Sequence, residues 1–421
     1  MKKTAGLIPC LLASMAGFAQ NRFPKPDFES GYQYPQYVYD VPSEMLWTTV
    51  DIFALAVLMG VVAWASLRRR TRLPITIVSI ISIAYFGFFR KGCICSIGSV
   101  QNVAVALTDS SYAISIPILI FFVLPLVFAL LFGRVFCAGV CPFGALQELV
   151  NVRNFRIPTA LSKVLGMLPW IYLVLALLFA ITHSAFIICR FDPFVGIFRL
   201  GGTVSMIVFG AILLILAIFT GRPFCRFLCP YGAILSLFSR VAVWNVKIVK
   251  KQCINCDLCR HACYVDAIRP PYNNKVKESR SAGVRRILLY LILLPLIMTI
   301  AALTLRTGSD LLAGVHKRVQ LHEKYHLEGE QAIEVETFIG QGGKIEELTA
   351  ETAEIQRQFK QYSTVAGALI GLVIGITLIN LSLKRSRKNY EIDDANCVSC
   401  GRCFAYCPQN NKSSENTQST K

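Results

Sequence analysis

Seven runs of mostly apolar residues divide the chain, at about 47–67, 73–89, 114–132, 166–188, 202–220, 286–305 and 362–383. Each approaches the ~20 apolar residues with which an α-helix crosses ~30 Å of hydrocarbon. The pattern predicts an all-α integral membrane protein of about seven transmembrane helices. Residues 1–20 read as a signal peptide, with Lys2 and Lys3 at the charged start, Leu7 to Met15 as the apolar stretch, and Gly17 and Ala19 as a small-residue cleavage site. The alternative is an uncleaved first span. Either way, residues 21–46, rich in Pro, Tyr and Phe, are expected on the outer side.

The net charge of +18 raises the question of nucleic acid. Lys and Arg, however, sit in short clusters beside the apolar runs, where they set membrane orientation. Arg68, Arg69, Arg70 and Arg72 follow the first span and put that end in the cytoplasm. Counting spans from there puts 133–165, 221–285 and 384–421 on the same side. The basic runs 240–286 and 384–388 agree, and 306–361, with ten acidic and seven basic residues, fits the periplasm. Arg90 and Lys91 fall outside and run against the rule. The expected location is a bacterial inner membrane, with a periplasmic N-terminus and a cytoplasmic C-terminus. The expected division is a membrane core over 47–240, a cysteine-rich half over 241–285, a helix over 286–305, a periplasmic loop over 306–361, a helix over 362–383, and a second cysteine-rich half with a polar tail over 384–421.

Cysteine changes the picture most. Twelve of the sixteen fall in four compact motifs, all on the side predicted to be cytoplasmic, where thiols stay reduced. Cys10 lies in the apolar part of the leader and is not placed as a lipoprotein cysteine. Cys253, Cys256, Cys259 and Cys263 have the spacing C-x2-C-x2-C-x3-C, and so do Cys397, Cys400, Cys403 and Cys407, which Pro408 follows. In two-cluster ferredoxins the fourth cysteine of such a run ligates the other cluster. The spacing therefore predicts one [4Fe–4S] cluster on Cys253, Cys256, Cys259 and Cys407, and another on Cys397, Cys400, Cys403 and Cys263. The motifs lie 144 residues apart with two spans between them, which returns the chain to its starting side. The result would be a ferredoxin-like α+β module split by a helical hairpin. Zinc is the alternative, but the three-residue step to the fourth cysteine suits exchange between clusters better than a closed tetrahedral site. Tyr264 stands where Pro is common in the first motif.

Two further motifs, GRVFCAGVCPFGALQEL and GRPFCRFLCPYGAILSL, place Cys137 and Cys141, then Cys225 and Cys229, at C-x3-C-P spacing and 88 residues apart. Looser correspondence between 92–102 and 188–198 extends this into a tandem repeat, and repeats in membrane proteins tend to share a site at their interface. Pro142 and Pro230 suit the first position of a helix, so the preceding thiolates sit near helix N-termini. These four cysteines are candidates for a third iron–sulfur cluster, [2Fe–2S] or [4Fe–4S]. The alternative is two reduced or redox-active thiol pairs. Cys93, Cys95 and Cys189 are expected at the outer face, as part of an outer redox site, a disulfide, or packing.

With these motifs in order, the sequence resembles the membrane polyferredoxin family that includes NapH, NosR and CcoG, over residues 85–270 and 390–410. The resemblance implies electron transfer between the quinone pool or a cytoplasmic donor and a respiratory or periplasmic partner, as an electron-transfer subunit of a quinol dehydrogenase-type oxidoreductase. It is similar to the membrane half of NosR, but no Ser/Thr-Gly-Ala-Thr flavin-attachment stretch is found, and the nearest run, Arg306 to Ser309, does not match. A flavin would come on a separate partner, as would a haem. The alternatives are a redox maturation factor for a metalloenzyme and a transmembrane thiol–disulfide exchange protein. His322 to His326 match H-E-x-x-H, but the ~56-residue loop is too small for a protease domain. His316, His322 and His326 are expected on a solvated helical face.

Overall fold

A computed structural model describes residues 45–92, 96–152, 155–199, 201, 203–248, 253–272, 280–382 and 387–410. The expected leader, Cys10, Cys93 and Cys95 lie outside the described residues. The chain is mostly helical. The elements that matter here are α1 (Leu46–Arg69), α2 (Leu73–Phe89), α3 (Ser96–Thr108), α4 (Ile116–Phe132), α5 (Pro142–Leu149), α6 (Thr159–Ile181), α7 (Val204–Thr220), α8 (Pro230–Arg240), α9 (Leu258–Ala262), β1 (Ile268–Arg269), α10 (Ser281–Thr307), α11 (Lys317–Glu328), α12 (Ile345–Ser382), β2 (Glu391–Ile392) and α13 (Arg402–Ala405).

Four of these, α1, α6, α10 and α12, are long and apolar enough to cross a membrane, and α2, α4 and α7 are shorter apolar helices. Their outer faces carry large exposed apolar side chains such as Phe53, Ile80, Ile215, Leu291 and Ile292. Water would penalise such a surface, whereas lipid matches it. The protein is a multi-pass membrane protein. The run predicted at 166–188 is displaced: its helix starts earlier, at Thr159, and stops at Ile181, because the chain turns at Thr182 and His183, the latter in a left-handed conformation. Arg90, the apparent exception to the charge rule, is neutralised. Its guanidinium grips the buried carboxylate of Asp51 at 2.6 and 2.9 Å, and Tyr85 donates to the same group at 2.9 Å.

Helices α10 and α12 form a hairpin whose contact runs along Gly367, Gly371 and Gly375. A methyl group built on Gly371 would stand 2.7 Å from the Met298 Cα, and one on Gly367 would stand 2.5 Å from the Ala301 carbonyl oxygen. Small residues at four-residue spacing let two helix backbones touch where no hydrophobic effect drives them together. Gly371→Val is expected to cost ~1–3 kcal/mol by overpacking, read as a lower unfolding midpoint in detergent, with Gly283→Val, which meets open space, as the control.

Residues 306–361, expected as an outer loop, are largely helical. Helix α12 begins at Ile345, so its polar first part continues into the apolar part without a break. Leu348, Thr352 and Phe359 are buried along one side of that polar part, which gives it a face to pack while its other side stays polar.

The two cysteine-rich stretches meet. Strand β1 pairs antiparallel with β2, Ile268 opposite Ile392 and Arg269 opposite Glu391. Tyr272 and Arg387 extend the ladder by one bridge, α9 packs against α13, and Tyr390 donates to Asp257 at 3.0 Å. The hairpin α10–α12 thus closes the long gap in sequence between them.

Candidate metal centres

The two C-x2-C-x2-C-x3-C loops have the same backbone. Asn255 and Ser399 hold equivalent left-handed conformations (φ 56° and 52°), and so do Asp257 and Gly401 (φ 61° and 73°). Alternating hands turn successive amide N–H groups toward one point, a concavity that suits anions and iron–sulfur groups. The sulfurs benefit: nearby backbone amides, of Ser399 for Cys397, Arg402 for Cys400, Arg260 for Cys259, and Ala267, Val265 and Ile268 for Cys263, favour the thiolate form.

The thiols group across the two stretches. Cys259 lies within electrostatic reach of Cys253, Cys256 and Cys407. Cys403 lies within reach of Cys397, Cys400, Cys263 and, between the groups, Cys259. Cys263, Cys397, Cys400 and Cys403 also line one cavity, walled by Val265, Ile268 and Ile392. Burial pushes the Cys397 thiol up to about 12 and the Cys263 thiol up to about 11. Thiols so placed stay protonated until a bound cation displaces their protons into solvent. A cavity with converging amides, lined by four thiols, fits an iron–sulfur cluster. Among the described residues, no group of three or more His, Cys, Asp or Glu closes to the size of a single metal ion.

The elbows are equally matched. Helices α4 and α7 end at Gly133 and Gly221, both at positive φ (74° and 59°), whose amides return to Ala129 and Ala217. This left-handed step is where glycine is favoured, and it swings each chain back toward the core. The Cys141 amide then donates to the Phe136 carbonyl at 3.0 Å, and the Cys229 amide to the Phe224 carbonyl at 2.8 Å. Cys141 and Cys229 cap α5 and α8 with almost identical backbone angles. The Gly232 amide donates to the Cys229 sulfur at 3.2 Å, and the Gly144 amide lies near enough to the Cys141 sulfur to favour its thiolate. Cys137, Cys141 and Cys229 are buried and Cys225 partly so, and all four lie within electrostatic reach of one another. Four thiols at two helix N-termini fit a cluster as well.

Between the elbow thiols and the Cys400 loop lies a polar knot that sequence reasoning missed. Glu148, 9% exposed, takes ion pairs from Arg72 at 3.1 Å, Arg402 at 3.3 Å and the fully buried Arg222, and Tyr264 donates to it at 3.2 Å. Burial alone would raise its carboxyl; Arg222, Arg402 and Arg72 hold it below the usual range. Arg222 lies within reach of both Cys225 and Cys400. Tyr264, at the position where Pro is common, puts its ring against the guanidinium groups of both Arg222 and Arg402, which a proline could not do. The one available signal was the Gly-Arg pair that precedes both C-x3-C motifs.

The remaining candidates stand apart. Cys189 is exposed, and Tyr172 lies within reach of both Cys189 and Cys229. His322 and His326 meet edge to face on α11 with their Nε2 atoms 3.2 Å apart. His316 caps that helix.

The 4Fe-4S binding domain family matches residues 114–159 and 202–251. These are the two elbows with their flanking helices, not the C-x2-C-x2-C-x3-C loops. MJ0750 of Methanocaldococcus jannaschii, itself uncharacterized, is 30% identical over 188 residues, covering 42% of this chain and 76% of its own. The regulatory protein NosR of Stutzerimonas stutzeri is 27% identical over 209 residues, 45% of this chain but 29% of its own. YccM of Escherichia coli, whose name carries a provisional electron-transport assignment, is 28% identical over 155 residues, 33% of this chain and 43% of its own. This chain therefore spans most of MJ0750 but less than half of NosR or YccM. No solved structure matches. By its paired cysteine elbows and these matches, the chain belongs to the family of MJ0750, membrane proteins with a 4Fe-4S binding domain that are distantly homologous to NosR, NirI and YccM.

Proposed function

We propose that this protein is a membrane-bound iron–sulfur relay that passes single electrons between the quinone pool or a cytoplasmic donor and a respiratory or periplasmic partner. One observation supports the reading: three groups of four thiols lie in sequence, the two split loops within electrostatic reach through Cys259 and Cys403, and the second loop within reach of the elbows through Cys400 and Arg222. The ligand sets are Cys253, Cys256, Cys259 and Cys407; Cys397, Cys400, Cys403 and Cys263; and Cys137, Cys141, Cys225 and Cys229. When bound, [4Fe–4S] clusters at the first two sets and an iron–sulfur cluster at the third supply one-electron storage. The chain does the rest. Thiolates and inward amides hold and tune each site, burial at the elbows excludes water, and the Glu148 knot fixes the second loop against the elbows.

The basic flanks of α1 and of the loops support a topology with seven spans, all three sets at the cytoplasmic face of an inner membrane and the 306–361 segment outside. Sites at one face do not bridge ~30 Å of hydrocarbon. A quinone, the Cys189 region or a flavin- or haem-carrying partner completes the path. In inverted or native membranes under anaerobic conditions, added quinol is expected to reduce the clusters, followed by low-temperature EPR. Clusters that stay oxidised with quinol but accept electrons from dithionite would instead favour a maturation role.

A further inference from the structure

Arg134 and Arg222 occupy the same place in the two G-R-x-F-C elbows, and each reaches into the other elbow. Arg222 donates to the carbonyls of Cys137 and Ala138. A methyl group built on Gly144, three residues after Cys141, would stand 3.6 Å from its Nη1 and 3.3 Å from the Cys225 sulfur. Arg134 places Nη2 3.8 Å from the Cys137 sulfur. A methyl group on Gly232, three residues after Cys229, would stand 3.1 Å from that same nitrogen. The glycine of each C-P-x-G turn thus leaves room for the guanidinium of the opposite repeat.

These two cations are unusually committed. Arg222 is fully buried and Arg134 is 6% exposed, and the Nε of each has no hydrogen-bond partner. Glu148 answers Arg222 but is shared with Arg72 and Arg402. Among the described residues no carboxylate pairs with Arg134, whose partners are the Ala395 carbonyl and the Cys137 sulfur. A buried, uncompensated cation is costly unless an anion sits beside it. The anion at hand is the set of four elbow thiolates.

We propose that Arg134 and Arg222 are positioning residues of the elbow site, exchanged between the two repeats to offset its thiolate charge, and that Glu148 sets how much of the Arg222 charge that site and the Cys400 loop receive. The proposal rests on the reading that the elbows hold a cluster. Its physical content is a sign rule. Each added electron makes a thiolate-bound cluster more negative, so a nearby buried cation favours the reduced form and a nearby carboxylate opposes it. A merely structural role for the three side chains would not give opposite signs.

The test is a redox titration by low-temperature EPR of the full chain, purified anaerobically. Arg134→Gln and Arg222→Gln are expected to lower the reduction equilibrium constant of the elbow signal by at least tenfold, which is 59 mV for one electron. Glu148→Gln is expected to raise it, and Arg222→Gln and Glu148→Gln to move the second-loop signal in the same opposite senses. Arg222→Lys keeps the charge and is expected to stay within tenfold of wild type. Unchanged constants, or shifts of one sign in all variants, would overturn the proposal. If a glutamine variant assembles no elbow signal, lysine decides: a signal retained with lysine supports the charge role, and a signal lost with both overturns it. Wild-type protein lacking any elbow signal would remove the underlying cluster reading itself, before a variant is made.

Discussion

Replacing Cys263 by alanine is expected to strip iron from a loop that begins 134 residues further along the chain. Cys263 belongs to the first motif by sequence, yet it lines a cavity with Cys397, Cys400 and Cys403. Cys259, in turn, lies within reach of Cys253, Cys256 and, from the other end of the chain, Cys407. The Cys263→Ala variant should lose the second cluster, about four irons, and keep the first. Cys407→Ala should do the reverse. Iron analysis gives the amount, and EPR of each variant identifies the cluster that survives. A variant that lost the cluster of its own motif while keeping the other would refute the exchange. The helical hairpin between the halves makes this prediction demanding, because it requires two stretches on either side of it to share both split-loop sites.

Cys225→Ala is expected to have the second large effect. It should abolish the elbow cluster, leave the two split-loop clusters intact with about eight irons per chain, and abolish their reduction by quinol. The reasoning is positional. The elbow thiols Cys137, Cys141 and Cys229 lie in the apolar core with Phe136, Phe143 and Tyr231, and the family match covers the elbows and their flanking apolar helices. On the relay reading, an electron entering from the membrane meets the elbows first. If the four elbow thiols instead exchanged disulfides, the variant would trap mixed disulfides and leave the iron content unchanged.

Much of this architecture was legible in the chain because its signals are local. Apolar runs, the C-x2-C-x2-C-x3-C spacing and the 88-residue repeat are each read within a few dozen residues, and the apolar helices of the structure fall near the predicted runs. The pairing of the two cysteine-rich stretches could be anticipated from parity of spans alone. What the sequence concealed depends on tertiary contact. Glu148 reads as one acidic residue in an amphipathic helix, and nothing near it announces that Arg72, Arg222 and Arg402 converge on it from three distant segments. Arg90 looked like a breach of the charge rule because its partner, Asp51, lies one helix away. Residues 345–361 read as loop since they are polar, yet Leu348, Thr352 and Phe359 carry a helical stripe that only packing makes visible. The repeated Arg134 and Arg222 were in view within the quoted motifs, but equivalence in sequence does not reveal that each side chain crosses to the other repeat.

Iron and acid-labile sulfide, counted per chain in anaerobically purified protein, address the central claim most directly. Three thiol sets, each occupied, predict more than about eight irons per chain, with three separable EPR signals on reduction. Eight irons or fewer, with no third signal, would contradict it.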